Sequence, residues 1–372
     1  MKKIKVGVLF GGRSAEHEVS IVSARSVMKA LDKKKYQVIP IGITKQGQWV
    51  VRNKVVGLLE SGTKIPPQLV QTLPADPTTK SLVNLKSYPK TSTKIDVIFP
   101  VLHGTYGEDG TVQGLLELAG IPYVGAGVLG SAVGMDKIVQ KMIFNANKLP
   151  TPSCIHFTGH DWQYAKSKVV QDCKKILKYP VFVKPANLGS SVGISKAHNQ
   201  LELINAINLA LKYDRRIIVE KSIERALEIE CAVLGNDNSK ASIAGQIIAS
   251  NEFYDYDAKY VDGKSQVIIP APLPKIVMTK VQELAVKAFK VLDLAGMARV
   301  DFLVQKNPWR VYINEVNTIP GFTSISMYPK LWRASGVTYS RLLDILIKLA
   351  IQRHKEKNRL KTSYQLKKKW YK

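Results

Sequence analysis

The sequence predicts a mixed α/β and α+β chain that opens with a parallel α/β unit. Three observations carry this. Residues 3–10 form a short β-rich run before two glycines, helical spacing follows, and a second β run occupies 36–43, which is a βαβ beginning. A proline-rich break at 149–152 (LPTP) precedes a smaller α+β unit. Near the other end, two β runs flank Asn307 and Pro308 and alternate charged with apolar residues.

The elements follow in order. Ala24, Val27, Met28 and Leu31 lie at helical spacing behind the first strand. A third strand is predicted over 96–102, and the Pro-, Ser- and Thr-rich interval 56–93 reads as an irregular insertion. A helix fits 111–119, a short strand 121–124, and one continuous helix 130–147. The middle unit runs through PVFVKP (180–185), a glycine loop, VGISKA, an amphipathic helix over 201–211 and IIVEK (217–221). Strands are predicted around 228–234, 241–248, 297–304 and 309–316, with helices near 276–294 and 337–351. No internal repeat is evident.

Composition narrows the class. The 372 residues are 45% apolar and 23% charged, as in a globular chain with room for a real core. Cys154, Cys173 and Cys231 are too few and too scattered for a disulfide framework or a zinc site. No run approaches the roughly 18 apolar residues of a membrane span, so a cytoplasmic protein without a membrane partner is expected. The net charge of +26 suits nucleic acid, an anionic surface or polyanionic small molecules. Nine Lys/Arg against one acid fall in the last twenty residues, which read as a solvated tail. With no Arg-rich arm, zinc finger or aromatic RNA-binding signature, nucleic acid is disfavoured.

Four segments carry chemistry. VGVLFGGRSAEHE lacks the GxGxxG pattern, so Gly11 and Gly12 read as a tight βα turn. Glu16 and Glu18 then suit either the helix dipole or a cationic ligand such as an ammonium group. KPANLGSSVGISKA is no Walker A loop, because no GK[ST] and helix follow. It reads as a hairpin loop whose N–H groups, Ser190 and Ser191 could cover a triphosphate beside Lys184, or as a plain surface hairpin.

In MARVDFLVQKNPWRVYINEVN, alternate residues share a face, so Arg299, Asp301 and Leu303 lie together, as do Ile313, Glu315 and Asn317. A loop centred on Pro308 pairs Leu303 with Ile313, Asp301 with Glu315, and Arg299 with Asn317. Carboxylates placed opposite one another repel unless a cation sits between them. Asp, Glu and Asn oxygens are donors that Mg²⁺ accepts when phosphate oxygens complete its shell, and Val300, Phe302 and Val304 supply the core face behind them. Finally, EFYDYDAKYVDGKSQ (252–266) is polar and aromatic-rich, which suits a closing loop bearing Lys259 and Tyr260, or a loop packed down by its tyrosines.

Together HGTYGEDGTVQGLLE (103–117), KPANLGSSVGISKA (184–197), EFYDYDAKY (252–260), ARVDF (298–302), NEVNTIPGFTSIS (314–326) and the FGGRSAEHEVS start resemble the D-alanine–D-alanine ligase family of the ATP-grasp superfamily. The match runs in order from residue 4 to about 350. The resemblance implies a three-domain ATP-grasp architecture, taken here as 1–125, 126–220 and 221–352, with a basic tail at 353–372. It implies ATP as co-substrate, two Mg²⁺ for which Mn²⁺ can substitute, D-alanine as the amino acid joined, and a homodimer.

Carried over by motif, Lys137, Lys184 and Lys259 would meet the ATP phosphates. Glu220 and the backbone near Ile223 would meet adenine, Glu228 the ribose, and Phe253 and Leu303 the faces of the base. Asp301, Glu315 and Asn317 would ligate Mg²⁺, as the strand geometry also suggests. Glu16 would hold the first ammonium in a triad with Ser190 and Tyr260, with His103 near the same substrate. Arg299 and the Gly321 N–H would stabilise an oxyanion, and Ser326 would bind the second carboxylate. Ligation to D-lactate is the nearest competing activity, against which the Tyr260 hydroxyl argues. A nucleotide-regulated nucleic-acid-binding protein is suggested by charge alone.

Overall fold

The computed structural model describes residues 2–51, 55–62, 65–84, 92–248, 266–323 and 325–364. Its first sheet has the order β4-β3-β2-β1-β7. In it β1 (Ile4–Gly11) runs parallel to β2 (Tyr36–Ile43) and β7 (Val97–Pro100). Beyond β2, β3 (Trp49–Val51) and then the edge strand β4 (Val70–Gln71) add on antiparallel. Helix α1 (His17–Ala30) packs Ile21, Ala24 and Val27 onto Val6, Val8 and Phe10. Gly11 makes the entry turn at φ +90°, where a Cβ would stand 2.2 Å from the Ile43 carbonyl oxygen, so no larger residue fits.

The interval expected to be irregular carries short regular pieces. They are α2 (Val55–Glu60), β4, and the hairpin of β5 (Ser81–Val83) and β6 (Ser92–Lys94). After α3 (Thr111–Leu118), the single helix predicted over 130–147 is two helices, α4 (Val128–Met135) and α5 (Lys137–Ala146). The break is Asp136. Its backbone is extended, and its carboxylate accepts from the amides of Ile138 and Val139 at 3.1 and 3.0 Å, capping α5.

The second sheet is antiparallel throughout, in the order β10-β9-β11-β8. It comprises β8 (Cys154–Thr158), β9 (Val181–Pro185), β10 (Ser195–Ala197) and β11 (Arg216–Lys221). The glycine loop is the β9–β10 connection. Helices α6 (Gly159–Asp172) and α7 (Gln200–Ala210) close its own core around Phe157, Val183, Leu203 and Ile217. Neither β8 nor α6 is among the predicted elements.

The third sheet, β14-β13-β12-β15-β16, is also antiparallel. Its strands are β12 (Leu227–Gly235), β13 (Lys240–Ile248), β14 (Gln266–Ile268), β15 (Gly296–Gln305) and β16 (Arg310–Asn317). Helix α8 (Lys275–Val291) covers one face. Helices α9 (Met327–Ala334) and α10 (Tyr339–Lys357) share a core with the first sheet, where Ala232, Phe322, Tyr328 and Leu346 join Val6 and Phe10.

Helix α10 outruns its predicted end, and the basic tail does not begin as a solvated extension. The Arg353 guanidinium lies 4.5 Å over the Tyr123 ring and donates to the Tyr123 carbonyl at 3.2 Å, while Lys357 reaches Glu117 at 2.7 Å. Basic side chains at a helix C-terminus also favour continuation. No helix among the described residues is long and apolar enough to cross a membrane.

Candidate active site

Two adjoining clefts open where the three sheets meet. The first, a cavity of about 260 Å³, takes Glu16 from the first glycine turn, Ser190 from the β9–β10 loop, Arg299 and Asn317 from the third sheet, and Gly321 and Ser326 from the segment after it. The second, of about 110 Å³, lies between Phe182, Lys184 and Glu220 on one side and Glu228, Asp301 and Leu303 on the other. Glu230, Ser191, Ile194 and Glu315 line both, so the clefts are continuous. A larger cavity of about 770 Å³ lies between α1 and α2 and shares no lining residue with these clefts.

At the far end of the first cleft, Glu16 is buried and accepts a hydrogen bond from the Ser190 hydroxyl. That contact joins the first turn to the glycine loop. Ser190 and Ser191 both hold positive φ, 51° and 59°, a costly conformation for two consecutive non-glycine residues and one found mainly at functional loops. Lys137, at the start of α5, ties the loop down by donating to the Leu188 carbonyl at 2.8 Å.

His103 sits behind them. Its Nδ1 lies 3.1 Å from the Ile319 carbonyl, which can only accept, so Nδ1 carries the hydrogen and Nε2 is left as an acceptor. Burial lowers the ring's pKa and so favours its neutral form, and Nε2 has no hydrogen-bond partner among the described residues. Glu108 is a lining residue that the sequence reading missed. It accepts from the amides of Gly104 at 2.7 Å and Ile319 at 3.1 Å, and burial, with the charge of Glu16 adding to it, pushes its carboxyl up to about 8.

The charged strand pair has the predicted register at its inner end, Arg299 opposite Asn317 and Asp301 opposite Glu315. Beyond that the expectation fails. A bulge between Asp301 and Phe302 sets Phe302 opposite Ile313 and Leu303 opposite Tyr312, so Leu303 does not pair with Ile313. The extra residue is Asn314, and the shift turns Ile313 into the core rather than onto the face of Glu315. Asn314 now lines the second cleft beside Glu315, and its side-chain oxygen accepts from Lys184 at 3.2 Å.

A third acid completes the row, since Glu230 on β12 stands opposite Asp301 on its other side. Two cations answer the three carboxylates. Arg299 donates through Nε and Nη2 to the two oxygens of Asp301, each at 2.7 Å, and Nε lies 3.0 Å from Glu230. Lys137 lies 3.4 Å from Glu315. Asn317 donates to Asp301 at 2.9 Å. Asp301, Glu315 and Asn317 are thus neighbours on facing strands, with Asp301 lining the second cleft, Asn317 the first and Glu315 both, although no cluster of three His, Cys, Asp or Glu side chains shaped for a metal occurs among the described residues.

In the second cleft the Lys184 ammonium lies 2.6 Å from Glu220, whose other oxygen lies 3.0 Å from Lys141. Although burial alone would raise the carboxyl of Glu220, the two lysines more than offset it and lower the pKa to about 2. Glu228 and Leu303 face this pair across the cleft. Ile223, on the connection between β11 and β12, does not line it. Phe253, Lys259 and Tyr260, with nearly all of the proposed closing loop, fall outside the described residues.

An antiparallel sheet grasping a lysine-lined cleft against a second sheet that carries acids in register defines an ATP-grasp fold. The comparisons make the assignment specific. Residues 5–126 match the family model described as D-ala D-ala ligase N-terminus, and residues 143–348 match D-ala D-ala ligase C-terminus. A D-alanine–D-alanine ligase of Natranaerobius thermophilus is 52% identical over 364 residues, 98% of this chain and 99% of that one. One from a Thermoanaerobacter species is 54% identical over 96% of this chain and 99% of the relative.

Among solved structures, the D-alanine–D-alanine ligase of Coxiella burnetii superposes with a TM-score of 0.82 at 38% identity, over 96% of this chain and 97% of that one. The VanG D-Ala:D-Ser ligase of Enterococcus faecalis gives 0.83 at 36% identity, over 94% and 100%. The chain belongs to the D-alanine–D-alanine ligase family.

Proposed function

We propose that the protein joins two D-alanine molecules into D-alanyl-D-alanine at the expense of ATP, through an acyl phosphate, as a step in making peptidoglycan precursors. One observation supports it above the rest: the Glu16–Ser190 pair, suited to an ammonium group, and the Asp301–Glu315–Asn317 oxygens, suited to phosphate chemistry, open into the same continuous cleft.

Lys137 and Lys184 meet the phosphates, with Glu220, Glu228 and Leu303 around the nucleoside. Lys259, Phe253 and the backbone near Ile223 complete this set in our reading. Glu16 holds the ammonium of the first D-alanine, with Ser190 fixing the carboxylate and Tyr260 as third member, and His103 lies alongside. The first substrate's carboxylate takes the γ-phosphoryl group, and the resulting acyl phosphate is attacked by the second amine with release of phosphate. Arg299 and the Gly321 N–H face the oxyanion formed in that attack. Ser326, whose Oγ is 2.8 Å from the Thr323 hydroxyl, receives the second carboxylate.

Asp301, Glu315 and Asn317 fit Mg²⁺, because their donors are hard oxygens and the opposed carboxylates already draw cations to that point. Two such ions, or Mn²⁺, would supply charge neutralisation on the transferring phosphoryl group. With ATP and D-alanine as substrates, we assign the protein to the cytoplasm, as a homodimer.

The structural likeness to a D-Ala:D-Ser ligase supports a second reading, in which the second amino acid carries a hydroxyl. Phosphate release from ATP with D-alanine, D-serine, D-lactate and L-alanine, each measured with product analysis, decides between them. D-alanine alone should sustain turnover, and release that needs D-serine or D-lactate would replace the proposal.

A further inference from the structure

Lys141 takes no part in the proposed reaction, yet it is a lysine only 2% exposed. Buried lysines are rare unless paired. Its ammonium lies 3.0 Å from one oxygen of Glu220 and donates to the carbonyls of Ile313 and Asn314 at 3.3 and 2.8 Å, at the bulge of β16. The other oxygen of Glu220 holds Lys184 at 2.6 Å. A carboxylate already satisfied by Lys184 has thus been given a second ammonium, buried at the cost of desolvation.

The surplus has a location. Lys184 lines the second cleft and Lys141 does not. Glu315, the next acid, already faces Lys137 at 3.4 Å. Within this trio two ammonium groups on one carboxylate leave one positive unit, which faces Glu228 across the cleft, and Lys184 is the member able to present it. Without Lys141, Glu220 and Lys184 would form a neutral pair.

We propose that Lys141 is a positioning residue that acts through Glu220: by sharing that carboxylate it lessens how far Glu220 cancels the charge that Lys184 offers the nucleotide's phosphates. This rests on the ATP-dependent reaction proposed above, with Lys184 against the phosphates. In a site with little water the difference between a neutral pair and a net cation is large. A purely structural lysine would instead serve the bulge carbonyls, and its loss could not be repaired by altering Glu220.

The test reads the phosphate contribution alone, as the ratio of ADP to adenosine affinity measured with Mg²⁺ present, so that contacts to the base and ribose cancel. Lys141→Met should lower this ratio about tenfold. Adding Glu220→Gln restores the charge balance and should return the ratio to within about threefold of wild type, although the bulge carbonyls still lack their donor. Lys184→Met is the control, and should lower the ratio at least as far as Lys141→Met.

If Lys184→Met leaves the ratio unchanged, the phosphate reading of the cleft fails and takes this inference with it. If Lys184→Met lowers the ratio but Lys141→Met does not, or the double variant stays as low as the single, the nucleotide site stands and the inference is overturned. Should Lys141→Met alone not fold, the double variant decides: a ratio near wild type supports the charge-sharing role, and one as low as that of Lys184→Met refutes it.

Discussion

Arg299→Met probes the row of acids and the oxyanion site together. The guanidinium makes two 2.7 Å bonds to Asp301 and lies 3.0 Å from Glu230, with side-chain exposures of 16% for Arg299, 14% for Asp301 and 6% for Glu230. Glu230 and Asp301 are cross-strand neighbours, so methionine leaves like charges side by side in a site with little water. Breaking a buried pair by removing one partner costs about 3–5 kcal/mol. Asp301 keeps some solvent and the lower figure applies, about 3 kcal/mol in denaturant unfolding at neutral pH. Mg²⁺ should stabilise the variant more than the wild type, because it replaces part of the lost positive charge. Turnover should fall by about 10²–10³, the usual effect of losing one oxyanion donor. Arg299→Lys keeps the charge but not the two-pronged geometry, and should recover more stability than turnover. A stability loss within about 0.5 kcal/mol, the range of a surface substitution, or undiminished turnover in Arg299→Met, would refute the reasoning.

Glu315→Gln should fold normally and lose nearly all Mg²⁺-dependent turnover, since the amide keeps the shape but not the charge; near-normal activity at ordinary Mg²⁺ would remove Glu315 from the metal set. Because the Glu220 carboxyl is lowered from 4.5 to about 2, its ion pairs contribute stability that is present above about pH 4.5 and lost as the pH falls toward 2, on the order of 3 kcal/mol. Glu220→Gln should flatten that part of the acid-unfolding curve, and an unchanged slope would show that the carboxylate is not held by the two lysines. Ser190→Ala removes the hydroxyl that donates to Glu16 and should raise the KM for D-alanine by about fivefold, near 1 kcal/mol, with the KM for ATP unmoved; an equal rise in both would place Ser190 in general loop stability.

Much of the site was legible because strand alternation is simple. The spacing of Arg299, Asp301, Glu315 and Asn317 predicts both the shared face and the inner register that β15 and β16 adopt. The bulge at Asn314 was not legible, since an inserted residue leaves no mark on the apolar pattern, and it moved Leu303 and Ile313 out of register. Asp136 was hidden for a related reason: helical spacing continues across the break, while the cap depends on one side chain folding back to the amides of Ile138 and Val139. Helix α6 carried a readable signal, Thr158 and Asp161 three residues apart as a capping box, in a segment too polar for its periodicity to show. Lys141, Glu108 and Glu230 look in sequence like solvent-facing charges. Only the convergence of separate elements buries them, and pairwise burial is not written in local spacing.

The most direct test of the central claim uses D-alanine labelled with heavy oxygen in its carboxylate. If that carboxylate is phosphorylated and phosphate is then expelled by the second amine, one labelled oxygen leaves with each phosphate released. The account predicts labelled phosphate equal in amount to the D-alanyl-D-alanine formed. Dipeptide accompanied by unlabelled phosphate would contradict the acyl-phosphate route, and phosphate without dipeptide would contradict the ligase activity itself.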